Sequence, residues 1–181
     1  MKTSSWARRA TSSRSAVFAL LLAGCASAKE RPADPPGVSL QPVRAPIDFS
    51  FDAVGDAPLT AESTRGSPTV ISFITTSSLS SQAQADFLVA MAKNDGDRVH
   101  YALVVLETQE NRELVALYKK ALSIPFPVAL ADSQTVAGAS AFGDVSTVPV
   151  TVLLDRAGRL VWRIEGRVAK SGEMRAAMRG L

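Results

Sequence analysis

Residues 69–93 read TVISFITTSSLSSQAQADFLVAMAK, and this stretch decides the fold class of the chain. Its first six residues form a short apolar run rich in β-branched and aromatic side chains, which is typical of a buried strand. From residue 82 to residue 93 the apolar side chains recur at helical spacing, and Asn94-Asp95-Gly96 then gives a turn signal. A strand that leads through a polar loop into a helix predicts an α/β domain.

Further segments continue this alternation toward the C-terminus. They are an apolar strand over residues 99–106, an amphipathic helix over residues 112–122, strands over residues 150–154 and 159–164, and a short helix over residues 172–179. The last two strands flank Asp155-Arg156-Ala157-Gly158, which predicts a hairpin because glycine suits a positive φ angle. Strand–helix alternation followed by a hairpin predicts a layered α/β domain with a mixed sheet.

The charge of the chain is unevenly distributed. Of its 181 residues, 20 are basic and 17 are acidic. Four of the basic residues and none of the acidic ones lie in residues 1–24, so residues 25–181 carry 16 basic and 17 acidic residues. The basic character therefore belongs to the N-terminal segment, and a nucleic-acid-binding face is not predicted.

The chain contains one cysteine, Cys25, and one histidine, His100. One cysteine excludes an intramolecular disulfide, a dithiol redox pair and a Cys/His metal cluster. The counts also argue against Ser-His or Cys-His nucleophilic catalysis, and His100 falls in a predicted apolar strand, where a structural role is expected. Neither a metal nor another cofactor is predicted.

Residues 1–24 have the layout of a secretory signal peptide, with a basic start and an apolar run at 16–24 that is too short to span a membrane. The run ends in Leu22-Ala23-Gly24-Cys25, which resembles the lipobox of bacterial lipoproteins. That resemblance implies that the Cys25 thiol receives a diacylglycerol and becomes the first residue of the mature chain. The alternative is an ordinary signal peptide with a cysteine at this place by chance. By the same resemblance, Ala26 after the cysteine favours the outer over the inner membrane.

Residues 25–45 contain several prolines and few large apolar side chains, which predicts an extended tether between the lipidated Cys25 and a folded domain over residues 46–181. The protein is therefore expected to be exported and anchored to the bacterial cell envelope, with its domain facing the periplasm.

Several short segments of the domain carry a resemblance to a known family. They are Pro46-Ile47-Asp48-Phe49, Arg65-Gly66, the strand ending at Phe73, Ile124-Pro125-Phe126-Pro127, Asp132, Phe142-Gly143, Thr147-Val148-Pro149-Val150-Thr151, Leu154-Asp155-Arg156-Ala157-Gly158 and Gly166. Together they resemble TlpA-like thioredoxins and AhpC/TSA redoxins over residues 46–181. The resemblance implies a thioredoxin-like fold, with a central mixed sheet of four or five strands and helices on both faces.

The sequence departs from that family at its reactive motif. Family members carry Trp-Cys-x-x-Cys at the start of a helix, where free N–H groups and the helix dipole stabilise a thiolate. Here Ser77 stands at the tryptophan position and Ser78 and Ser81 stand at the cysteine positions. A hydroxyl cannot form a disulfide, so these positions are degenerate. We expect the serines to act mainly in helix capping, with Ser80 or Ser81 accepting an N–H of the first turn.

Pro149 is the second family landmark, and the resemblance implies that its peptide bond with Val148 is cis. It also implies that the backbone of Val148 is available to an extended substrate peptide, by strand addition. The alternative is that Pro149 only shapes a turn. On the first interpretation, Ser77, Ser78, Val148 and Pro149 line a groove for a peptide or protein.

The leading hypothesis is a lipid-anchored, thioredoxin-like protein that binds a peptide or protein without catalysis. The alternatives are a thiol-disulfide oxidoreductase or antioxidant enzyme, as the family implies, and a structural lipoprotein without a specific partner.

Overall fold

The computed structural model describes residues 38–40 and 45–181. The predicted signal peptide, Cys25 and most of the predicted tether lie outside these residues. Within the described part of the chain, every helix is too short or too polar to cross a membrane.

The described residues form one eight-stranded sheet with the order β1-β8-β7-β4-β5-β6-β2-β3. The strands are β1 (Val38–Leu40), β2 (Ser50–Ala53), β3 (Leu59–Thr60), β4 (Thr69–Ile74), β5 (His100–Val105), β6 (Val128–Leu130), β7 (Val150–Leu154) and β8 (Leu160–Ile164). Strands β4, β5 and β6 are parallel to one another, and the other pairings are antiparallel. The α/β class and the mixed sheet are thus confirmed.

The sheet is wider than the four or five strands expected, because short strands extend both edges. Strands β2 and β3 add to the β6 side, and β1 pairs with β8 on the other side. These edge segments have two to four residues each, which is too short for alternation to be visible in the sequence. Strand β1 also lies within residues 25–45, so part of the predicted tether pairs with the sheet.

The described residues form four α-helices: α1 (Leu79–Asp95), α2 (Arg112–Ala121), α3 (Ser133–Val136) and α4 (Ser171–Met178), of which α4 follows the last strand. The long helices were predicted at their observed places, although α1 begins three residues earlier than residue 82. The connections β4-α1-β5 and β5-α2-β6 run in the same direction across the sheet, and right-handed crossovers then place both helices on one face.

Side chains that alternate along the strands divide the core into two clusters, one on each face. The first cluster contains Leu88 of α1, Val115 of α2 and Met174 of α4. The second contains the packed rings of Phe49, Phe51, Phe73 and Phe142 and has no member from these three helices. The second face is therefore covered mainly by residues 47–61 and by the loop around Phe142. A long helix was expected on this face.

Asp155 organises the turn between β7 and β8, as its position in the predicted hairpin suggested. Its Oδ1 accepts the N–H groups of Ala157 and Arg159, each at 2.9 Å, and its Oδ2 accepts Nε of Arg159 at 2.7 Å. Burial raises the pKa of this carboxyl, but the hydrogen bonds from Arg159 and Ala157 outweigh it, so the net effect is a lowered pKa. Gly158 takes the positive φ of 79° that closes the turn, and its carbonyl accepts the N–H of Ile47.

Replacing Asp155 by alanine is expected to lower the free energy of unfolding by about 1–3 kcal/mol, because two partly buried N–H groups and the Arg159 guanidinium lose a charged acceptor. Since the folded-state pKa is lowered, the charged carboxylate stabilises the fold above the unfolded-state pKa and loses this effect as the pH falls through the folded-state value. Urea unfolding at pH 7 and at acidic pH should therefore show that the difference between the parent and Asp155→Ala shrinks in acid. Asp97→Ala, at an exposed carboxylate, is the control and should change stability by less than about 0.5 kcal/mol. A pH-independent difference for Asp155→Ala would contradict the assignment.

Candidate functional site

The predicted site residues meet at one end of the sheet. Strand β4 ends at Ile74, and a four-residue loop leads to the start of α1 at Leu79. Strand β7 begins at Val150, which pairs with Phe73 at the end of β4. Because β4 and β7 are antiparallel, the end of β4 and the start of β7 lie at the same edge of the sheet. The segment Val148-Pro149 and the loop with Ser77 and Ser78 are therefore both attached at this edge.

Ser78 is the N-cap of α1. Its backbone is extended, with φ of −96° and ψ of 126°, and its Oγ accepts the N–H of Ser81 at 3.3 Å. The Oγ atoms of Ser78 and Ser80 lie 2.9 Å apart. The expected capping residue was Ser80 or Ser81, and this prediction was wrong by two or three positions because the helix begins at Leu79.

Ser81 has a different role from the one predicted. It is fully buried in the first turn of α1, and its Oγ accepts the backbone N–H of Thr75 at 3.2 Å. It therefore holds the loop between β4 and α1 against the helix. Ser77, by contrast, is exposed.

Among the described residues, no histidine or carboxylate side chain is hydrogen-bonded to the hydroxyl of Ser78 or Ser81. His100 is the first residue of β5 and pairs with Thr69 at the opposite end of the sheet. The described residues also contain no group of three or more His, Cys, Asp and Glu side chains that could hold a metal ion. The two serine hydroxyls are instead occupied as hydrogen-bond acceptors of the backbone.

The Val148–Pro149 peptide bond is cis, as the resemblance implies. The N–H of Gly166 donates to the carbonyls of both Thr147 and Pro149, each at 3.1 Å. Val148 lies between these two acceptors, and no hydrogen bond among the described residues uses its own N–H or C=O. A half-buried residue with a free donor and a free acceptor can pair with an added strand.

The loop after β8 lies at the same edge of the sheet, because Ile164 at the end of β8 pairs with Thr151 near the start of β7. The N–H of Ala169 donates to Oε1 of Gln84 at 2.6 Å, which fixes the loop to α1. Gln84 is fully buried, and its Nε2 has no partner among the described residues.

An ion pair fixes the rest of this loop. Arg167 donates to both carboxylate oxygens of Glu173, at 3.0 and 2.7 Å, and Glu173 also accepts the N–H of Lys170 at 2.9 Å. The bonds from Arg167 are the largest cause of a lowered pKa for the Glu173 carboxyl, which burial opposes. Val168 is thus held in place between two fixed points, Gly166 and Ala169.

Two large apolar side chains of α1 are exposed. Leu79, the first residue of α1, is 84% exposed, and Phe87, two turns further along, is 41% exposed. Phe87 and Val168 line an apolar surface pocket of about 620 Å³ together with the start of α4. Sequence reasoning missed Leu79, Gln84, Phe87 and Val168. The only available signal was Leu79, an isolated large apolar residue within a serine-rich stretch.

Comparisons with known proteins identify the fold. Comparisons with protein-family models and with curated proteins found no match. Among solved structures, a DsbF homologue from Corynebacterium diphtheriae is 13% identical and covers 84% of this chain and 97% of its own, with a TM-score of 0.68. A thiol:disulfide interchange protein of the thioredoxin family from Chlorobium tepidum is 18% identical over 77% and 96% of the two chains, with a TM-score of 0.63. StoA from Bacillus subtilis is 16% identical over 74% and 97%, with a TM-score of 0.59.

The fold of this chain is therefore thioredoxin-like, as predicted. At these identities the likeness concerns the fold alone, and the narrower assignment to TlpA-like or AhpC/TSA proteins stays a prediction.

Ser78→Ala should lower the free energy of unfolding by about 1 kcal/mol, because the first turn of α1 loses its side-chain acceptor. Ser77→Ala is the matched control, because the exposed Ser77 precedes the cap and should change stability by less than about 0.5 kcal/mol. Chemical unfolding of the chain starting at Ala26 measures both. Equal effects of the two substitutions would contradict the assignment of the cap.

Ser78→Cys combined with Ser81→Cys should create a dithiol that oxidises to an intramolecular disulfide. The introduced thiols would stand at the N-cap and in the first turn of a 17-residue helix, where the thiolate is stabilised. We expect the thiol at position 78 to have a pKa below the usual value of about 8.5. Thiol titration before and after mild oxidation of the chain starting at Ala26 gives the readout, with Ser78→Cys alone as the control. Two thiols that stay free after oxidation would show that the backbone does not retain dithiol geometry.

Proposed function

We propose that this chain is an exported, lipid-anchored envelope protein whose thioredoxin-like domain binds an extended peptide segment of another protein without redox catalysis. The observation that carries the proposal is the backbone of Val148, whose N–H and C=O have no partner among the described residues and lie between two fixed carbonyls. The groove consists of Ser77, Ser78, Leu79, Val148 and Pro149.

Strand addition would explain how this groove binds a peptide. A guest strand would accept the N–H of Val148 and donate to its C=O, which supplies affinity with little dependence on sequence. The exposed side chain of Leu79 and the pocket lined by Phe87 and Val168 would contact apolar side chains of the guest. Burial of an apolar guest side chain stabilises such a complex by about 25 cal/mol per Å² of buried area before the entropy of association is subtracted.

A redox enzyme is the second candidate, because the similar solved structures include proteins described as a thiol:disulfide interchange protein and a disulfide oxidoreductase. Thiol-disulfide exchange needs a thiolate to attack a disulfide, and intramolecular release needs a second thiol. This chain has a single cysteine, Cys25, and hydroxyls at positions 78 and 81. A hydroxyl cannot replace a thiol in either step, so we favour binding over catalysis.

The anchor rests on Cys25, the single cysteine, at the end of a signal-peptide pattern that resembles a lipobox. Two or more acyl chains give stable attachment, since each buried CH₂ contributes about 0.8 kcal/mol. We place the protein in the cell envelope with its domain in the periplasm, and Ala26 favours the outer membrane.

The chain starting at Ala26 contains no cysteine and should neither reduce insulin disulfides nor consume hydroperoxide above the buffer blank. Turnover above the blank would overturn the non-catalytic proposal. The full mature chain with Cys25 is assayed beside it, so that any activity of the single thiol is measured separately.

Binding is tested by affinity capture from solubilised envelope. The chain starting at Ala26 is compared with Val148→Asp, because a charge beside the free backbone should block a docking strand. Leu117→Asp is the matched control, since Leu117 is a 65% exposed apolar residue of α2 and is not among the groove residues.

We expect to find a protein that the parent and the control retain. Val148→Asp should retain at least about tenfold less of it, which corresponds to about 1.4 kcal/mol. Circular dichroism verifies that all three are folded. Equal capture by all three would move the site elsewhere, and capture of nothing would favour a structural lipoprotein.

A further inference from the structure

A second pocket lies at the end of the sheet opposite to the groove. It has a volume of about 440 Å³, within the range of about 300–1,000 Å³ that is usual for small-molecule sites. It lies where the chain enters β4 and β5, beside Thr69 and His100. Pro125 and Pro127, which precede β6, line it as well. The pocket shares no residue with the proposed peptide groove, so the two sites can be tested separately.

The walls of this pocket are mainly apolar. Tyr101 and Phe126 contribute aromatic rings whose centroids lie 6.0 Å apart, and Ala92 and Val99 add aliphatic surface. The Tyr101 hydroxyl donates to Oδ2 of Asp95 at 2.6 Å, so the ring rather than the hydroxyl is available to a ligand. Walls of this kind bury the apolar body of a small molecule.

Hydrogen bonds hold the walls in place. Oγ1 of Thr64 donates to the Ala61 carbonyl at 2.9 Å, and Oγ1 of Thr69 donates to the Thr64 carbonyl at 3.1 Å. The N–H of Leu103 donates to the Pro127 carbonyl at 3.0 Å. The pocket is thus built from ordered segments, as small-molecule sites usually are.

The charged side chains that line the pocket are acidic. They are Asp56 and Asp97, and no lysine or arginine of the described residues lines it. Asp56 forms an ion pair with Lys119, whereas Asp97 has no ion-pair partner within the described part of the chain. The adjacent Arg98 donates instead to two carbonyls in the last turn of α1, each at 3.1 Å. The exposed Asp97 carboxylate therefore offers a negative charge at the rim of the pocket.

His100 adds a polar group to the same pocket. It is half-buried, and its imidazole makes no hydrogen bond to another described residue. A neutral imidazole can accept an N–H from a ligand. The pocket therefore combines apolar walls, a carboxylate and a hydrogen-bond acceptor.

We propose that this pocket binds a small organic cation, with its apolar body against Tyr101 and Phe126 and its ammonium group bound by Asp97 and His100. Aromatic rings and carboxylates both attract cations. An anion would be repelled by the two carboxylates, and a neutral ligand would leave the charge of Asp97 unused. The proposed peptide binding does not involve this pocket, so the cation site is a further binding function.

NMR titration of the chain starting at Ala26, which contains the whole sheet and every residue of the pocket, measures both the affinity and the place of binding. Phenethylammonium is the probe, and phenethyl alcohol and hydrocinnamate are neutral and anionic molecules with the same ring. We expect saturable shifts of the amide signals of Gly96, Asp97 and Val99 with the cation. The alcohol should bind about fivefold more weakly, and the anion more weakly still.

Two pairs of variants locate the ligand. Asp97→Asn should weaken binding of the cation about fivefold and leave binding of the alcohol unchanged. Asp86→Asn, at an exposed carboxylate of α1 outside the pocket, is its control. Ala92→Leu narrows the pocket and should weaken both ligands, whereas Ala90→Leu, at an exposed position of the same helix, should weaken neither.

Equal affinity for the three probes, or equal affinity of Asp97→Asn and the parent for the cation, would overturn the assignment of a cation site. Shifts that do not saturate, or that fall on the groove at Val148, would overturn the pocket itself. The amide spectra verify that each variant is folded, and Asp97→Asn, at an exposed position, keeps the test decisive if Ala92→Leu does not fold. Val148→Asp should bind the cation as the parent does, so the proposed function and this inference fail separately.

Discussion

The antiparallel pairing of β4 with β7 is the constraint on which the site depends. Because Phe73 pairs with Val150, the loop that leads into α1 and the loop that leads into β7 must emerge side by side. Both strands are fully buried, so a shift of register by one residue would turn an entire row of apolar side chains toward the wrong core cluster. The position of Val148 beside the start of α1 is thus held by the whole core, and the polar residues of the loops contribute little to it.

Serine side chains stabilise the loop between β4 and α1. Ser78 satisfies one of the free N–H groups of α1, and Ser81 binds the N–H of Thr75 from within the first turn. The neighbouring loop is fixed by Gln84 and by the ion pair between Arg167 and Glu173. Each of these contacts orders a backbone segment of a loop, whereas the core sets where the loops emerge.

Long periodic segments were predictable from the sequence, whereas short segments and three-dimensional neighbours were not. The apolar run of β4 and the helical spacing of α1 were sufficient to place both elements, and the hairpin at Asp155 followed from its turn residues. The edge strands β1 and β3 have three and two residues, and no pattern exists over such lengths. The cap was misplaced because six serines and threonines precede and open α1, and any of them satisfies the chemistry. Phe87 and Val168 are distant in sequence, so their shared pocket depends on the packing of α4 against α1.

In the proposed binding mode, the hydroxyls at positions 78 and 81 would determine how a complex at the groove ends. A guest held through a cysteine leaves when a second thiol attacks the covalent bond, so its release follows the redox potential of the compartment. A guest held by the Val148 backbone and apolar contacts leaves by spontaneous dissociation, and its residence time is set by the dissociation rate constant. Oxidants and reductants in the envelope would leave that residence time unchanged, and the concentration of the free guest relative to the dissociation constant would determine how much of the protein is occupied.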